Sequence, residues 1–347
     1  MNNTEIIKLV HQNIVKAQEE KIDYEVFYSE ELREGYQHEF IFFIKPEITL
    51  RDEGNPSGIK ISEILQMMLD RFSAFNVKIK DIRILSARYL DRFNIIADHY
   101  GVINALCSHA KETMSEQAVH EFETQYNKKA ENERVLGGFE FLEEFDSFSP
   151  STLDMLWQKS QAVKLAPGTY CAEININKEK IYLINGFHPS QIAHFTRRGR
   201  SIVVFTLAGN LDWKTARNDF IGKTNPVQAA KGSLRHELFM DMNQYGLSTV
   251  SSSWNGFHLS AGPLEGLVEL IRYDSNYLTG SLKSADDFVF GRMLLTHFSP
   301  DQVERLLQNP VFLYHDEKIS AFDLTEEKNN DEALQLLLSV KTNNPVS

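Results

Sequence analysis

The stretch Glu39-Phe-Ile-Phe-Phe-Ile-Lys45, stopped by Pro46, is short, apolar and rich in aromatic and β-branched residues. That composition predicts a buried strand, and the proline, with no N–H to give to a ladder, ends it. Working outward, Ile61, Ile64, Leu65, Met68, Leu69 and Phe72 recur at i, i+3, i+4 and i+7, which predicts a helix with one packed face, opened after Ser57 as a candidate N-cap. Val77, Ile79, Ile82 and Ile84 predict a second strand whose alternation breaks once. Leu90, Phe93, Ile96 and Ala97 predict a helix ending near His99 and Tyr100.

The pattern then repeats. Ile202-Val-Val-Phe-Thr-Leu207 predicts a buried strand, followed by a helix over 212–220, a strand over 252–258 and a helix carrying Leu264, Leu267, Val268 and Ile271. Strand, helix, strand, taken twice, predicts an α+β sandwich of the ferredoxin-like βαββαβ kind. Its core is expected over 38–100 and 187–280, after an N-terminal helical segment over 1–37 whose helix, 4–20, leads into a polar connector. Residues 101–186 are expected to form an inserted subdomain, with a Gly137-Gly138 junction and a hairpin from Thr169 to Leu183 turning at Asn177-Lys-Glu-Lys180. A helical C-terminal extension is expected over 281–347. Ser284 with Asp287 offers a capping box, Ser299-Pro300 opens a helix, another helix surrounds Leu334–Leu338, and 342–347 are expected to fray.

Across 347 residues, 42 % are apolar and 24 % charged, which excludes disordered and collagen-like classes. Subtracting 48 acidic from 36 basic residues gives −12, a balance that disfavours a non-specific grip on nucleic acid or an anionic membrane. An anionic ligand then needs its own cluster of arginines. Two cysteines, Cys107 and Cys171, are too few for a disulfide framework and fit a reducing compartment. With a polar start at Met-Asn-Asn-Thr-Glu and no apolar run of membrane-spanning length, a soluble cytoplasmic protein is expected.

Chemistry concentrates between Arg217 and Glu269. The tract holds Gly222-Lys-Thr-Asn-Pro226, Lys231-Gly-Ser-Leu-Arg235 and Asn255-Gly-Phe-His258-Leu-Ser260. Thr224 and Asn225 present polar groups on a rigid turn, and Arg217 and Arg235 offer forked donors suited to phosphate. A lone histidine at a strand end is more often structural than catalytic. One that attacks phosphorus must be neutral and held in one tautomer, and Glu269 on the following helix is a candidate to hold it. Taken singly, Lys45 could cap a strand edge, Tyr100 could be core, and either arginine could be a surface ion pair; taken as a set they read as a binding site.

These residues together resemble the nucleoside diphosphate kinase family. Asn255, His258 and Ser260 match the spacing of its signature histidine, and Glu269 falls where the family keeps its orienting glutamate. Thr224 to Arg235 resembles its threonine-asparagine-proline turn and following arginine, Lys45-Pro46 the end of its first strand, His99-Tyr100 the pair before its nucleotide-binding hairpin, and Ile202–Gly209 its third strand. The resemblance implies a phosphotransferase, a kinase that moves the γ-phosphoryl of a nucleoside triphosphate to a nucleoside diphosphate through a phosphohistidine, by ping-pong, with Mg²⁺ carried on the nucleotide. It implies His258 as nucleophile and Arg217, Thr224 and Arg235 on the phosphates. Tyr100 would lie near the histidine, Lys45 and Asn255 at the ribose hydroxyls with Lys45 also at the leaving oxygen, and Phe187 or His188 stacked on the base. The family's tetramers and hexamers imply a homo-oligomer.

Leu259 and Ala261 stand where the family has a glycine and an acid, and the intervals from Arg217 to Gly222 and from Arg235 to Asn255 are longer than its own. Two alternatives share the expected fold: a regulatory module that binds nucleotide without turnover, and a phosphotransferase with another acceptor. The insertion, starting after Tyr100 and ending beside Phe187, is expected to alter assembly or acceptor choice.

Overall fold

The computed structural model describes residues 1–32, 35–50, 58–315 and 317–340. The expected N-cap at Ser57 and the expected fraying over 342–347 lie outside them. The chain is a mixed α+β protein of two compact units, Met1–Tyr89 with Arg198–Ser347, and Leu90–Arg197. The second unit is wider on both sides than the 101–186 expected, so Tyr100, Phe187 and His188 fall within it.

The first unit is built on a five-stranded sheet: β1 (Tyr24–Ser29), β2 (His38–Ile44), β3 (Lys78–Ser86), β4 (Ser201–Gly209) and β5 (Phe257–Leu259), in the order β1-β3-β4-β2-β5 with every neighbouring pair antiparallel. Helix α1 (Asn3–Gln18) precedes it. α2 (Ile61–Ala74) links β2 to β3, and α3 (Leu234–Met240) lies between β4 and β5. Phe40, Phe42, Ile82, Ile84, Phe205 and Leu207 alternate onto the face that receives Val10 and Ile14 of α1, Leu65 and Phe72 of α2, and Leu234 and Leu238 of α3. Burial of that apolar surface is what holds the layers together.

The break in the alternation of β3 is a bulge: its register with β4 shifts between Ile79 and Asp81. The expected helix over 212–220 is a short helical turn, Trp213–Thr215, running into wide π-type turns over Ala216–Ile221. The expected helix through Leu90 and Ala97 is two pieces, Ala87–Arg92 and Ile95–His99, divided at Asn94, which takes the left-handed conformation (φ 53°). The last strand shrinks to three residues, because Ser251–Trp254 turns and Gly256 is left-handed just before it. In this sheet one strand was not expected: β1 lies in the presumed polar connector and pairs with β3 through a register shift at Phe27.

The other face of the sheet is covered by α4 (Pro263–Asp274) and is partly polar. Arg83 of β3, 3 % exposed, pairs with Asp274 at the end of α4 (Nη1–Oδ1 2.5 Å) and with Asp81. Thr206 Oγ1 donates to Asp274 Oδ1 at 2.9 Å, and Tyr24 Oη donates to the Asp274 carbonyl at 3.3 Å. This network ties three strands to one end of α4, the helix that also carries Glu269.

The C-terminal segment belongs to the same unit. Ser284 forms its capping box with Asp287, Ser299 caps the helix Pro300–Leu307, and α5 (Ala321–Thr325) and α6 (Asn330–Val340) follow. Among the described residues no helix is long and apolar enough to cross a membrane.

In the second unit, strands Val135–Gly137, Val163–Ala166, Thr169–Ile176 and Glu179–Ile184 make a sheet of their own. The expected hairpin is present and turns through Asn177 and Lys178, both at positive φ. Cys107 and Cys171 are free and buried, and burial pushes both thiols up to about 12.

Candidate functional site

β5 puts His258 opposite Phe43 of β2, and the two rings stack with centroids 4.4 Å apart and planes 17° from parallel. α4 starts at Pro263 and presents Glu269 to the same histidine: His258 Nε2 lies 2.9 Å from Glu269 Oε1. The other oxygen of Glu269 accepts from Ser260 Oγ at 2.5 Å. Ser260 is itself fastened to β2, its N–H donating to the Ile41 carbonyl at 3.0 Å and its Oγ accepting from Ile41 N at 3.1 Å. Glu269 is 1 % exposed while the His258 side chain is 17 % exposed, so the orienting carboxyl is sealed in and the ring still reaches the surface.

With the Nε2 proton directed to Glu269, the imidazole carries its lone pair on Nδ1. Burial, followed by the charges of Lys45, Arg217 and Arg235, holds the ring well below the ordinary histidine range. His258 is therefore neutral at physiological pH.

The cations are positioned by backbone. Arg235, on α3, donates from Nη2 to the Phe257 carbonyl at 2.9 Å and from Nη1 to the Gly222 carbonyl at 2.8 Å. Arg217, in the π-type turns, donates from Nη1 to the Leu259 carbonyl at 2.9 Å. The two arginines thus grip the carbonyls immediately before and after His258. Gly222 permits its contact because it sits at φ 88°, where a Cβ would run into Ser233.

Lys45 follows the end of β2, where its Nζ donates to Asn255 Oδ1 at 2.7 Å; Asn255 Nδ2 donates in turn to the carbonyls of Thr224 and Ser252, each at 3.1 Å. Burial pushes the Lys45 ammonium down to about 8, with Glu47 opposing and Arg235 reinforcing. Lys45, Arg217, Thr224, Arg235, Asn255, His258 and Glu269, all expected from the sequence, are thus joined in one hydrogen-bonded and electrostatic neighbourhood. It is a neutral, tautomer-fixed imidazole among cations, an arrangement able to receive an anionic electrophile.

Two residues escaped the sequence reading. Phe43 stacks on His258. Glu47 accepts from Gly256 N at 2.8 Å and so steadies the approach to β5. Ser260, placed only by its motif, braces Glu269. The signal for Phe43 was present, since it sits two residues before Lys45 and therefore on the same face of the strand.

Tyr100, Phe187 and His188 belong to the second unit. His188 is fully buried, with Nδ1 3.0 Å from Gln191 Oε1 and Nε2 3.3 Å from Asn104 Oδ1, and burial lowers its pKa. Tyr100 and Phe139 lie edge-on to its ring, at 6.0 and 5.9 Å. Phe187 is half-buried against Trp157 and Tyr170, so of the two candidate stacking rings it is the one with exposed surface.

No protein-family model matches the chain, and no curated protein matches it. Among solved structures, an NDP kinase from Pyrobaculum aerophilum aligns over 71 % of this chain and 98 % of its own, at 14 % identity and a TM-score of 0.32. At that score the two chains do not superpose closely.

Proposed function

We propose that the chain is a phosphotransferase of the nucleoside diphosphate kinase kind, with His258 as the phosphoryl carrier. The observation that carries this reading is the bracket around the histidine: Glu269 on Nε2, and Arg235 and Arg217 on the two flanking carbonyls. The antiparallel order β3-β4-β2-β5, with a helix in each of two crossovers packed into one core, supports the ferredoxin-like arrangement that goes with it.

In the first half-reaction, the Nδ1 lone pair forms a bond to the γ-phosphorus of a nucleoside triphosphate. The bond from that phosphorus to the β,γ-bridging oxygen breaks, and its electron pair leaves on the nucleoside diphosphate. In the second, a terminal phosphate oxygen of another nucleoside diphosphate attacks phosphorus, and the N–P bond returns its pair to Nδ1. Glu269 stabilises the imidazole while it bears the phosphoryl group, and Lys45, Arg217 and Arg235 offset the charge that spreads over the transferring oxygens. Asn255, which orients Lys45, and Thr224 line the same anion site. Mg²⁺ enters with the nucleotide; at position 261 an alanine provides no carboxylate to it. The reading retains the homo-oligomer and the cytoplasmic location.

Incubation with γ-labelled ATP and Mg²⁺, followed by a panel of nucleoside diphosphates, tests this directly. The parent should take up acid-labile label and pass it to a diphosphate, and His258→Ala should take up none. Equal labelling of the alanine variant would refute the assignment. Label that forms on the parent yet reaches no nucleoside diphosphate would instead favour another acceptor.

A further inference from the structure

An imidazole needs two restraints to be held in one place, and the hydrogen bond to Glu269 supplies one of them. The last torsion of a histidine side chain, about Cβ–Cγ, is broad and roughly two-fold. Nε2 lies close to that axis, so turning the ring about it moves Nε2 little and swings Nδ1 much further. The 2.9 Å bond to Glu269 Oε1 therefore fixes the tautomer but only weakly constrains the plane of the ring.

Phe43 supplies the second restraint. It is the residue of β2 paired with His258, it is wholly buried, and its ring lies 4.4 Å from the imidazole with planes 17° from parallel. Turning the imidazole about Cβ–Cγ would drive its edge into the phenyl face, so the stack resists the one rotation that the hydrogen bond permits. Phe43 is itself confined: Tyr273, also wholly buried, packs against it with centroids 5.5 Å apart and planes at 48°. Glu269 and Tyr273 stand four residues apart on α4 and so share one of its faces. One helix thus brings a carboxyl to the edge of the imidazole and a ring to the residue that covers its face, while the His258 side chain keeps 17 % of its surface open.

Resting on the phosphotransfer reading above, we propose that Phe43 is a positioning residue for the transfer step: by fixing the plane of the His258 ring it aims the Nδ1 lone pair at the incoming phosphorus. The cations proposed to hold the phosphates do not depend on it. Arg217 and Arg235 are fastened to backbone carbonyls, and Lys45 to Asn255. Loss of the stack should therefore slow the chemistry and leave nucleotide binding alone.

The test is Phe43→Leu in the full chain, which keeps an apolar side chain in the core and removes the ring; Phe43→Met, an adaptable side chain, is the second variant and should show the same split. In single-turnover labelling with MgATP, the rate at which His258 takes up phosphoryl should fall about three- to tenfold, the size of a lost aromatic stack, with the Kd for ADP unchanged. In proton–carbon NMR of protein with labelled histidine, the ring resonances that vanish in His258→Ala should carry an aromatic ring-current shift in the parent and lose it in both variants. A parent rate in a variant that has lost the shift would overturn the proposal. So would a slower rate matched by an equally weakened Kd, which is what general disruption of the site produces. If the parent labels and both variants label as fast, the positioning role alone fails; if the parent neither labels nor binds ADP, the phosphotransfer reading fails and the positioning role with it.

Discussion

Arg235 is at once an expected phosphate ligand and a bolt between the carbonyls of Gly222 and Phe257, buried to 5 % exposure. Truncating it strands two acceptors beside the nucleophile, so Arg235→Ala should lower folding stability by about 1–3 kcal/mol as well as weaken nucleotide binding, measurable as a reduced midpoint in urea. Lys45 makes a cleaner residue-scale test. Its ammonium is lowered from 10.5 to about 8. The charged form therefore costs stability below about pH 8. Between that value and 10.5 only the unfolded chain keeps the proton, and this contribution to stability rises with pH. A bound phosphate restores the charge. ADP binding at pH 8 should take up protons, visible as a calorimetric enthalpy that depends on the buffer's ionisation heat, and the uptake should fade toward pH 6.5, where Lys45 is already charged. Lys45→Met should show none of it. Lys45, His258 and Glu269 were legible because motif spacing exposes them. Phe43 was legible only as a strand residue on the face of Lys45, and Glu47 not at all, because what brings them to the site is contact between chain segments more than two hundred residues apart.

At the scale of elements, α4 is located by its two ends, one at the β5 turn and the other at the Arg83–Asp274 pair beneath the sheet. Removing the arginine leaves Asp81 and Asp274 buried without their cation. Arg83→Ala should therefore cost about 3–5 kcal/mol in chemical denaturation and loosen Glu269 along with the helix. The strands β2 and β4 and the helix α2 were readable from sequence because each is buried along one period: a continuous apolar run for the strands, a 3.6-residue stripe for the helix. β1 was not. Tyr24-Glu-Val-Phe-Tyr-Ser29 is half-exposed along its length and bulged at Phe27, so neither alternation nor a buried run marks it.

At the scale of the whole molecule, β3 and β4 pair down to Ser86 opposite Ser201, and Ala87 N donates to the Arg200 carbonyl at 2.8 Å. The second unit, Leu90–Arg197, is thus inserted at the tip of an antiparallel strand pair whose ends already meet. Replacing it with a short Gly/Ser linker should leave a first unit that still unfolds in one cooperative transition, followed by circular dichroism; loss of that transition would mean that the insertion is needed for folding. The central claim concerns one nitrogen. Because Glu269 occupies Nε2 of His258, phosphorus NMR and peptide mass spectrometry of protein treated with ATP and Mg²⁺ should find the phosphoryl group on Nδ1 of His258. A phosphoryl group on Nε2, on Ser260 or on another residue, or none at all, would contradict the account.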